Sequence, residues 1–368
     1  MTIGVLFGGP TPEHDISILT GLQALRELNR SNNDVTGIYW TKNGSFLMTP
    51  GNAEAEMFLD GPPKGWTEVA LRLGDGGGFF AAAGRLAKDR RLDLDVVVLA
   101  THGGPGEDGT LQAALDLANV MYTGPSVAGA ALGMDKWSFG AVMKSSGIAT
   151  LPRTLLTSDT VDIGFDGPYI LKPRFGGSSI GIDVVADVAT AKARLSTNVH
   201  LALGCVVEPY RADLFDVQIA VRTYPSVSLS AIERPIRRTA RAEILNYSDK
   251  YVGGEGMVTA PRELPAVLPE EQVRAIHATA RTIVDVASVR GVARIDFLAN
   301  DDELYVNEVN TIPGSLAKHL FVDPPLSFAE LLRDLIREAR ERPTHRFTSA
   351  GADGEVLRKA GSIAAKLS

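Results

Sequence analysis

The chain has 368 residues, 45% hydrophobic and 22% charged, and this length and composition predict a globular protein of two or three domains. Its formal net charge of −7, with no dense block of lysine and arginine, argues against nucleic acid as a partner. The single cysteine, Cys205, excludes an internal disulfide and a thiolate metal cluster. No basic region precedes the first apolar stretch, and no apolar run approaches the roughly 20 residues that span a bilayer. We therefore expect a cytoplasmic protein without a membrane partner.

The first 120 residues alternate strand and helix patterns. Apolar, β-branched runs predict strands at Met1–Phe7, Val35–Trp40 and Leu94–Ala100, and a helix is predicted from about Ser17 to Arg30. Such alternation predicts an α/β fold with a parallel sheet. The glycine-rich run at 74–78 is interpreted as a turn; it is no P-loop, because no Lys-Ser or Lys-Thr follows it.

The rest of the chain predicts two further units and a tail. Strands at Tyr169–Pro173 and Gly181–Val185 are too close for a crossover helix, so they form a hairpin. Amphipathic helices are predicted from Pro269 to Arg290 and after a capping box at Ser327–Glu330. We place the units at 1–121, 122–207 and 208–343, followed by a polar tail at 344–368.

Two acidic strands are the first candidate site. Arg294 and Asp296 share one face of a predicted strand, and Glu308 and Asn310 share a face of the next. If the strands pair, two carboxylates and an amide oxygen converge, which suits Mg²⁺ held against triphosphate oxygens. The alternative is a charged hairpin face in which Arg294 pairs with Glu308.

A glycine-serine turn is the second candidate site. It lies between the hairpin strands, at Gly176-Gly177-Ser178-Ser179, and Lys172 ends the strand that leads into it. Exposed backbone N–H groups in such a turn can hold phosphate oxygens. The alternative is a plain glycine-rich hairpin.

Two loops follow predicted parallel strands and form the third candidate site. One loop runs from His102 to Gln112 and the other from Gly8 to Asp15. Loops at the carboxyl ends of parallel strands are where open sheets bind ligands, so both loops are expected to face one crevice. We favour a functional role for His102, whereas His14 is interpreted as a surface or capping histidine.

Taken in order, five segments resemble the D-alanine–D-alanine ligase family of the ATP-grasp superfamily. They are HGGPGEDGTLQ at 102–112, GMDK at 133–136, KPRFGGSSIGI at 172–182, RIDF at 294–297 and NEVNTIPG at 307–314. The resemblance covers nearly the whole chain to about Pro343. It implies an ATP-grasp fold with an N-terminal parallel-sheet domain of the pre-ATP-grasp, Rossmann-like kind, and ATP between the second and third units.

The resemblance also implies cofactors and their ligands. Two Mg²⁺ ions, replaceable by Mn²⁺, are assigned to Asp296, Glu308 and Asn310. The nucleotide contacts implied are Lys136 and Lys172 for phosphates, Gly177 and Ser179 in the flap, Glu208 on the adenine side, and Asp216 at a ribose position where the family usually has glutamate.

The implied catalytic residues lie in all three units. Glu13 matches a glutamate that accepts from the ammonium of the first D-alanine, with His102 nearby. Arg294 and the Gly314 N–H match groups that stabilise the tetrahedral intermediate. Ser178 and Tyr251 complete a hydrogen-bonded set with Glu13, and Lys250 precedes Tyr251 in a lid-like segment. Histidine in place of Tyr251 goes with D-lactate in the family, so this tyrosine implies an amine acceptor and a dipeptide product.

One segment departs from the family. Where the family has Met-Thr and serines that bind the second substrate's carboxylate, this chain has Ser315 to Leu320. Lys318, His319 and Leu320 are therefore candidate acceptor-side residues, and a cation there can bind a carboxylate. The leading hypothesis is D-alanyl-D-alanine synthesis for peptidoglycan by a homodimer, as relatives commonly are. The alternatives are a related ligase with another acceptor in specialised biosynthesis, and a catalytically silent ATP-binding protein.

Overall fold

The first of three β-sheets contains seven strands from the N-terminal part of the chain. The computed structural model describes residues 1–31, 33–62, 64–83, 87–236, 261–344 and 348–363. The strands are β1 (Thr2–Gly8), β2 (Asp34–Trp40), β3 (Phe46–Thr49), β4 (Thr67–Arg72), β5 (Gly78–Ala81), β6 (Arg90–Arg91) and β7 (Val96–Leu99). Two helices accompany them, α1 (His14–Arg30) and α2 (Thr110–Leu117), with 3-10 turns at Ala55–Phe58 and Gly104–Gly106.

This first sheet is only partly parallel. Its strand order is β6-β5-β4-β3-β2-β1-β7, and β1 is parallel to both β2 and β7. The predicted parallel strands are therefore confirmed, but four antiparallel strands extend the sheet and were missed. These strands are short, and the burial pattern of β4 alternates along its length, so they give a weak apolar signal. The predicted turn is present, because the Gly77 N–H donates to the Gly74 oxygen at 3.0 Å.

The second sheet is antiparallel and carries the glycine-serine turn. Its strands, in the order β10-β9-β11-β8, are β8 (Thr154–Leu156), β9 (Tyr169–Pro173), β10 (Asp183–Val185) and β11 (Cys205–Pro209). The predicted β9–β10 hairpin is confirmed. The helices are α3 (Val127–Met134), α4 (Lys136–Ser145) and α5 (Val188–Thr197), with a 3-10 turn at Val199–Leu201. Because β11 continues past residue 207, Glu208 belongs to this sheet.

The third sheet is also antiparallel and carries the acidic strands. Its order is β14-β13-β12-β15-β16, with β12 (Phe215–Arg222), β13 (Ser228–Pro235), β14 (Arg262–Glu263), β15 (Val292–Ala299) and β16 (Leu304–Asn310). Its helix α6 (Glu270–Val286) begins as predicted and ends four residues early, before Ser288 at φ 50°. A 3-10 segment at Gly314–Leu320 follows β16, and the tail contains α8 (Glu355–Lys359).

Helix α7 (Phe328–Glu341) returns the chain to the first unit. The predicted capping box is confirmed, with the Glu330 N–H donating to Ser327 Oγ at 3.2 Å. Its buried face packs into the same apolar core as β1 and β7, through Leu331, Leu332, Leu335 and Ile336. The first and third units therefore share one core. Over the described parts of the chain, no helix combines the length and apolar character needed to cross a membrane.

Candidate active site

A large cleft opens between the second and third sheets, with about 900 Å³ of open space. Residues predicted to bind the nucleotide or metal line it from both sides. They are Lys136, Lys172, Gly177, Ser179, Glu208, Asp216, Asp296 and Glu308. Apolar walls from Leu151, Ile170 and Leu298 complete a shape suited to a flat base with a charged tail.

A buried ion cluster lies along the β11 wall of the cleft. Lys172 Nζ is 2.6 Å from one oxygen of Glu208 and 2.9 Å from Asn307 Oδ1. Arg153 Nε is 2.7 Å from the other oxygen of Glu208. Burial opposes ionisation of Glu208, but the charges of Lys172 and Arg153 outweigh it and hold the pKa of its carboxyl below its ordinary value.

Arg153 was missed by the sequence analysis, although it connects three elements of this cleft. Its guanidinium donates to the backbone oxygen of Lys136 in α4 and, at 2.6 Å, to that of Asn307 in β16, while Nε faces Glu208 in β11. An isolated arginine whose partners lie in distant segments leaves no motif, so only the folded chain reveals it.

Helix α4 positions Lys136 in the lining of the cleft. Asp135 caps that helix by accepting the Trp137 N–H at 3.1 Å, which makes Lys136 its first residue. Lys136 Nζ then donates to the Gly176 oxygen at 2.6 Å and lies 2.8 Å from Glu308 Oε2. The lysine thus bridges the glycine-serine turn and the acidic hairpin.

The acidic hairpin brings its predicted ligands together. Asp296 lies directly opposite Glu308, and Arg294 opposite Asn310, in the β15–β16 register. Asn310 Nδ2 is 3.2 Å from Asp296 Oδ2. Carboxylate and amide side chains are the kinds of oxygen donor that suit Mg²⁺, so the hairpin stays the candidate metal site. The alternative pairing of Arg294 with Glu308 is wrong, because Arg294 instead forms a two-point ion pair with Asp296, at 2.7 and 2.8 Å.

The glycine-serine turn adopts an unusual backbone. Ser178 and Ser179 have φ of 52° and 59°, in the left-handed region that side chains other than glycine rarely occupy. Such residues cluster at ligand-binding sites, where surrounding contacts hold them in place. Ser178 Oγ donates to Glu13, and a Cβ added at Gly177 would lie 2.7 Å from Glu13 Oε2. The turn therefore closes onto the first unit as well as onto the cleft.

A smaller polar crevice adjoins the cleft through Glu308. Its lining combines residues from all three units: Glu13, Ile16, His102, Glu107, Ser178, Arg294, Glu308, Asn310, Ile312, Pro313 and Gly314. The described catalytic candidates Glu13, Ser178, Arg294 and Gly314 therefore face one space. Lys250 and Tyr251 lie outside the described residues.

His102 lies in this crevice with both ring nitrogens bound to the protein. Nδ1 is 2.7 Å from the Ile312 oxygen, and Nε2 is 2.8 Å from Thr20 Oγ1. A carbonyl oxygen only accepts, so Nδ1 carries the proton and Nε2 accepts from Thr20. Burial, with a smaller effect from the charge of Arg294, lowers the pKa of His102 to about 4, which keeps the ring neutral. The ring therefore holds the Ile312 turn in place.

Glu107 is a second residue to which the sequence analysis gave no role. Its carboxyl is buried and accepts the N–H groups of Gly103 at 2.9 Å and Ile312 at 2.8 Å, and the Thr311 hydroxyl at 3.3 Å. Burial and the neighbouring charge of Glu13 raise the pKa of Glu107 to about 7. An acidic residue inside a glycine-rich loop at a strand end was the signal available for it.

The interpretation of His14 as a surface or capping residue is wrong. Its side chain is only 3% exposed, Nδ1 is 2.6 Å from the Gly9 oxygen, and Nε2 is 3.0 Å from the Tyr39 hydroxyl. Burial lowers the pKa of His14. Tyr39 reaches it from β2, a neighbour that spacing along the chain could not show.

The segment that departs from the family has a strained backbone. Ser315, Leu316 and Ala317 have φ of 49°, 51° and 52°, three consecutive left-handed residues without a glycine. Each such residue costs about 1–2 kcal/mol. Leu316, Ala317 and Leu320 are buried in the core shared with α1 and α7, and this burial offsets the strain.

The two basic residues of this segment, Lys318 and His319, differ in their surroundings. His319 Nε2 is 3.3 Å from Glu233 Oε2, and Arg262 Nη1 is 2.9 Å from the other oxygen of Glu233. Burial opposes ionisation of Glu233, but His319 and Arg262 hold its pKa below its ordinary value. Lys318 Nζ lies 4.7 Å from the ring centre of Phe328. Among the described residues that line the cleft and the crevice, neither Lys318 nor His319 is present. Their role in binding the acceptor therefore stays a prediction.

The three sheets, with a charged cleft between the second and the third, form an ATP-grasp fold. The family model described as the D-ala D-ala ligase N-terminus matches residues 2–125, and that of the C-terminus matches residues 132–337. The chain belongs to the D-alanine–D-alanine ligase family.

Individual relatives agree with this placement. The chain is 31% identical to the D-alanine–D-alanine ligase of Campylobacter lari, over 88% of this chain and 90% of the relative. It is 29% identical to that of Chlorobium limicola, over 93% and 98%. Among solved structures, the VanG D-Ala:D-Ser ligase of Enterococcus faecalis has a TM-score of 0.76 at 24% identity, over 92% of this chain and 99% of that chain.

Proposed function

We propose that this enzyme joins two D-alanine molecules at the expense of ATP, and that the dipeptide serves peptidoglycan synthesis. The observation that carries the proposal is the convergence of Glu13, Ser178, Arg294 and Gly314 on one crevice beside the charged cleft. The curated relatives described above are named for this reaction.

ATP fits the large cleft. Its phosphates would lie by Lys136, Lys172 and the N–H groups of the glycine-serine turn, with the base and ribose towards Glu208 and Asp216. Asp296, Glu308 and Asn310 would hold Mg²⁺, which supplies charge neutralisation at the phosphates. The resemblance implies two such ions. Lys136 and Arg294, now paired with Glu308 and Asp296, would then turn towards the substrate's negative charge.

The first chemical step forms an acyl phosphate. Glu13 accepts from the ammonium of the first D-alanine, which turns that substrate's carboxylate towards the cleft. A carboxylate oxygen attacks the γ-phosphorus, the bond to the β-phosphate oxygen breaks, and ADP leaves. The protein contributes positioning and cationic side chains here, as in other phosphoryl transfers.

The second step forms the peptide bond. The amine of the second D-alanine, having lost a proton, attacks the acyl carbon, and phosphate leaves. Negative charge develops on the acyl oxygen in between. In this proposal Arg294 and the Gly314 N–H would receive it, because donors already in position stabilise such an oxyanion strongly.

Several broader features stay predictions from the sequence. These are the unit boundaries, the cytoplasmic location and the homodimer. The curated relatives, which are named D-alanine–D-alanine ligases, do not favour either alternative function. Lys136, Lys172, Asp296 and Glu308 all line the cleft with side chains suited to phosphate or metal, which argues against a silent ATP-binding protein. The names of the two curated relatives favour D-alanine as acceptor over another amine.

The test is the mass of the product that the full-length enzyme makes from ATP, Mg²⁺ and D-alanine. The D-alanyl-D-alanine mass, with one phosphate released per dipeptide, supports the proposal. The same assay with L-alanine is the stereochemical control. Phosphate release that needs D-alanine and yields dipeptide only when a different amine is added would overturn the D-alanine acceptor, and no turnover with any amine would overturn the ligase function.

A further inference from the structure

We propose that Thr20, His102 and Glu107 are positioning residues that clamp the 311–315 turn and thereby fix the Gly314 N–H for the second chemical step. This inference rests on the proposed ligase function. The clamp means the hydrogen bonds from these three side chains to that turn. All three belong to the first unit, whereas the turn belongs to the third.

Thr20 and His102 form a directional hydrogen-bond chain. The Ser315 N–H donates to Thr20 Oγ1 at 3.0 Å, Thr20 donates to His102 Nε2 at 2.8 Å, and His102 Nδ1 donates to the Ile312 oxygen at 2.7 Å. The last acceptor is a carbonyl oxygen, which cannot donate. The direction of each earlier hydrogen bond in the chain therefore follows from the bond after it. The chain thus connects both ends of the turn through one threonine hydroxyl.

Glu107 holds the same turn from the other side. One of its oxygens accepts the Ile312 N–H at 2.8 Å and the Thr311 hydroxyl at 3.3 Å. The other oxygen accepts the Gly103 N–H at 2.9 Å. A Cβ added at Gly103 would collide with the carboxylate of Glu13. Glu107 therefore ties the turn to the loop that packs against the proposed ammonium acceptor.

Gly314 lies between the backbone groups that the clamp holds, so the clamp fixes the position of its N–H. Pro313 has no N–H, so the nearest backbone donors that can anchor the turn belong to Ile312 and Ser315, and both are held. The left-handed run begins at Ser315, immediately after Gly314. Strained backbone persists only where its surroundings determine it, so losing the Thr20 anchor frees the turn to relax.

The consequence is specific to one half of the reaction. Acyl-phosphate formation depends on Glu13 and on the charged groups of the cleft, and none of the clamp's hydrogen bonds is made to Glu13, Lys136 or Lys172. Attack by the amine depends on the Gly314 N–H. A loosened clamp should therefore leave acyl phosphate that water captures, so that phosphate release exceeds dipeptide formation.

The test uses the full-length enzyme with ATP, Mg²⁺ and D-alanine. It measures the phosphate released per dipeptide formed, and it measures kcat and KM separately. Thr20→Val keeps the shape but removes the hydroxyl. We expect its kcat for dipeptide to fall about tenfold, with the KM for ATP unchanged and phosphate per dipeptide well above one. Thr20→Ser retains the hydroxyl and should restore the ratio. Thr282→Val, at an exposed threonine of α6, is the matched control.

Glu107→Gln is the second variant, which keeps the test decisive if Thr20→Val folds poorly. Its amide nitrogen cannot accept the second N–H group, and the same uncoupling is expected. Equal loss of phosphate and dipeptide in whichever of these variants folds, or a Thr20→Ser ratio that stays high, would overturn the clamp. Wild-type enzyme that makes no dipeptide would instead overturn the proposed function.

Discussion

The large cleft and the adjoining crevice are organised by different interactions. In the cleft, ion pairs hold the cations: Lys172 with Glu208 at 2.6 Å and Lys136 with Glu308 at 2.8 Å. In the crevice, neutral His102 and the hydroxyl of Thr20 bind backbone groups. Ion pairs can exchange partners when a polyanion arrives, whereas hydrogen bonds to backbone fix one geometry. The cleft thus suits a highly charged ligand, and the crevice suits an intermediate that needs donors in fixed positions.

The largest expected effect tests the charge of the cleft. Asp296→Asn keeps the size of the side chain but removes a charge from the proposed metal site. We expect phosphate release to fall about 1000-fold, a loss of about 4 kcal/mol of transition-state stabilisation. Asp301→Asn, at the exposed end of the same hairpin, is the control and should stay active. Near-normal turnover in Asp296→Asn would remove the metal role from this hairpin.

The next effect tests whether the ion cluster of the cleft also stabilises the fold. Arg153→Met leaves Glu208 buried with one cationic partner, so we expect the free energy of unfolding to fall by about 3 kcal/mol in urea titrations. Arg26→Met, which breaks a surface pair with Glu54, should change it by less than about 1 kcal/mol. Equal effects of the two substitutions would mean that the buried Arg153–Glu208 pair contributes no more to the free energy of unfolding than the surface pair does.

A smaller effect tests the neutrality of His102 in the crevice. The folded pKa of His102 is about 4 against an ordinary 6.5, so its contribution to stability is full above pH 6.5 and is lost as the pH falls towards 4. Between about pH 7.5 and about pH 5, wild-type unfolding free energy should drop about 2 kcal/mol more than that of His102→Gln. An equal drop in the two proteins, measured by urea titrations at the two pH values, would mean that folding does not lower the pKa of His102.

The smallest effect concerns the acceptor side. If His319, held by Glu233 at 3.3 Å, contributes to binding the acceptor's carboxylate, His319→Ala should raise the KM for the second D-alanine about fivefold, or about 1 kcal/mol. His277→Ala, on helix α6, is the matched control. An unchanged acceptor KM with lowered thermal stability would assign His319 to structure alone.

Sequence patterns found the features that are local in the chain. Asp296 and Glu308 were predicted to share a hairpin because strand periodicity and a short turn determine that pairing, and they lie directly opposite each other. The capping box at Ser327 followed from four residues. In contrast, β3 to β6 were missed because short strands with one exposed face lack a continuous apolar run.

Contacts between distant segments were beyond those patterns. Arg153 meets Glu208 and Asn307, Thr20 meets Ser315, and Tyr39 meets His14 only after the sheets are assembled. Glu107 was visible as an acid in a glycine-rich loop, but its partner Ile312 lies in another unit. Burial and hydrogen bonding, rather than residue type, give these side chains their roles.

The bond from the Ser315 N–H to Thr20 has a consequence for recombining this enzyme with its relatives. In a chimera that exchanges the N-terminal half at a sheet boundary, the donor and the acceptor of this hydrogen bond would come from different parents. Crossover points should therefore be chosen so that residues 13–20, 102–107 and 311–315 come from the same parent, although almost 300 positions of chain separate the first of these stretches from the last.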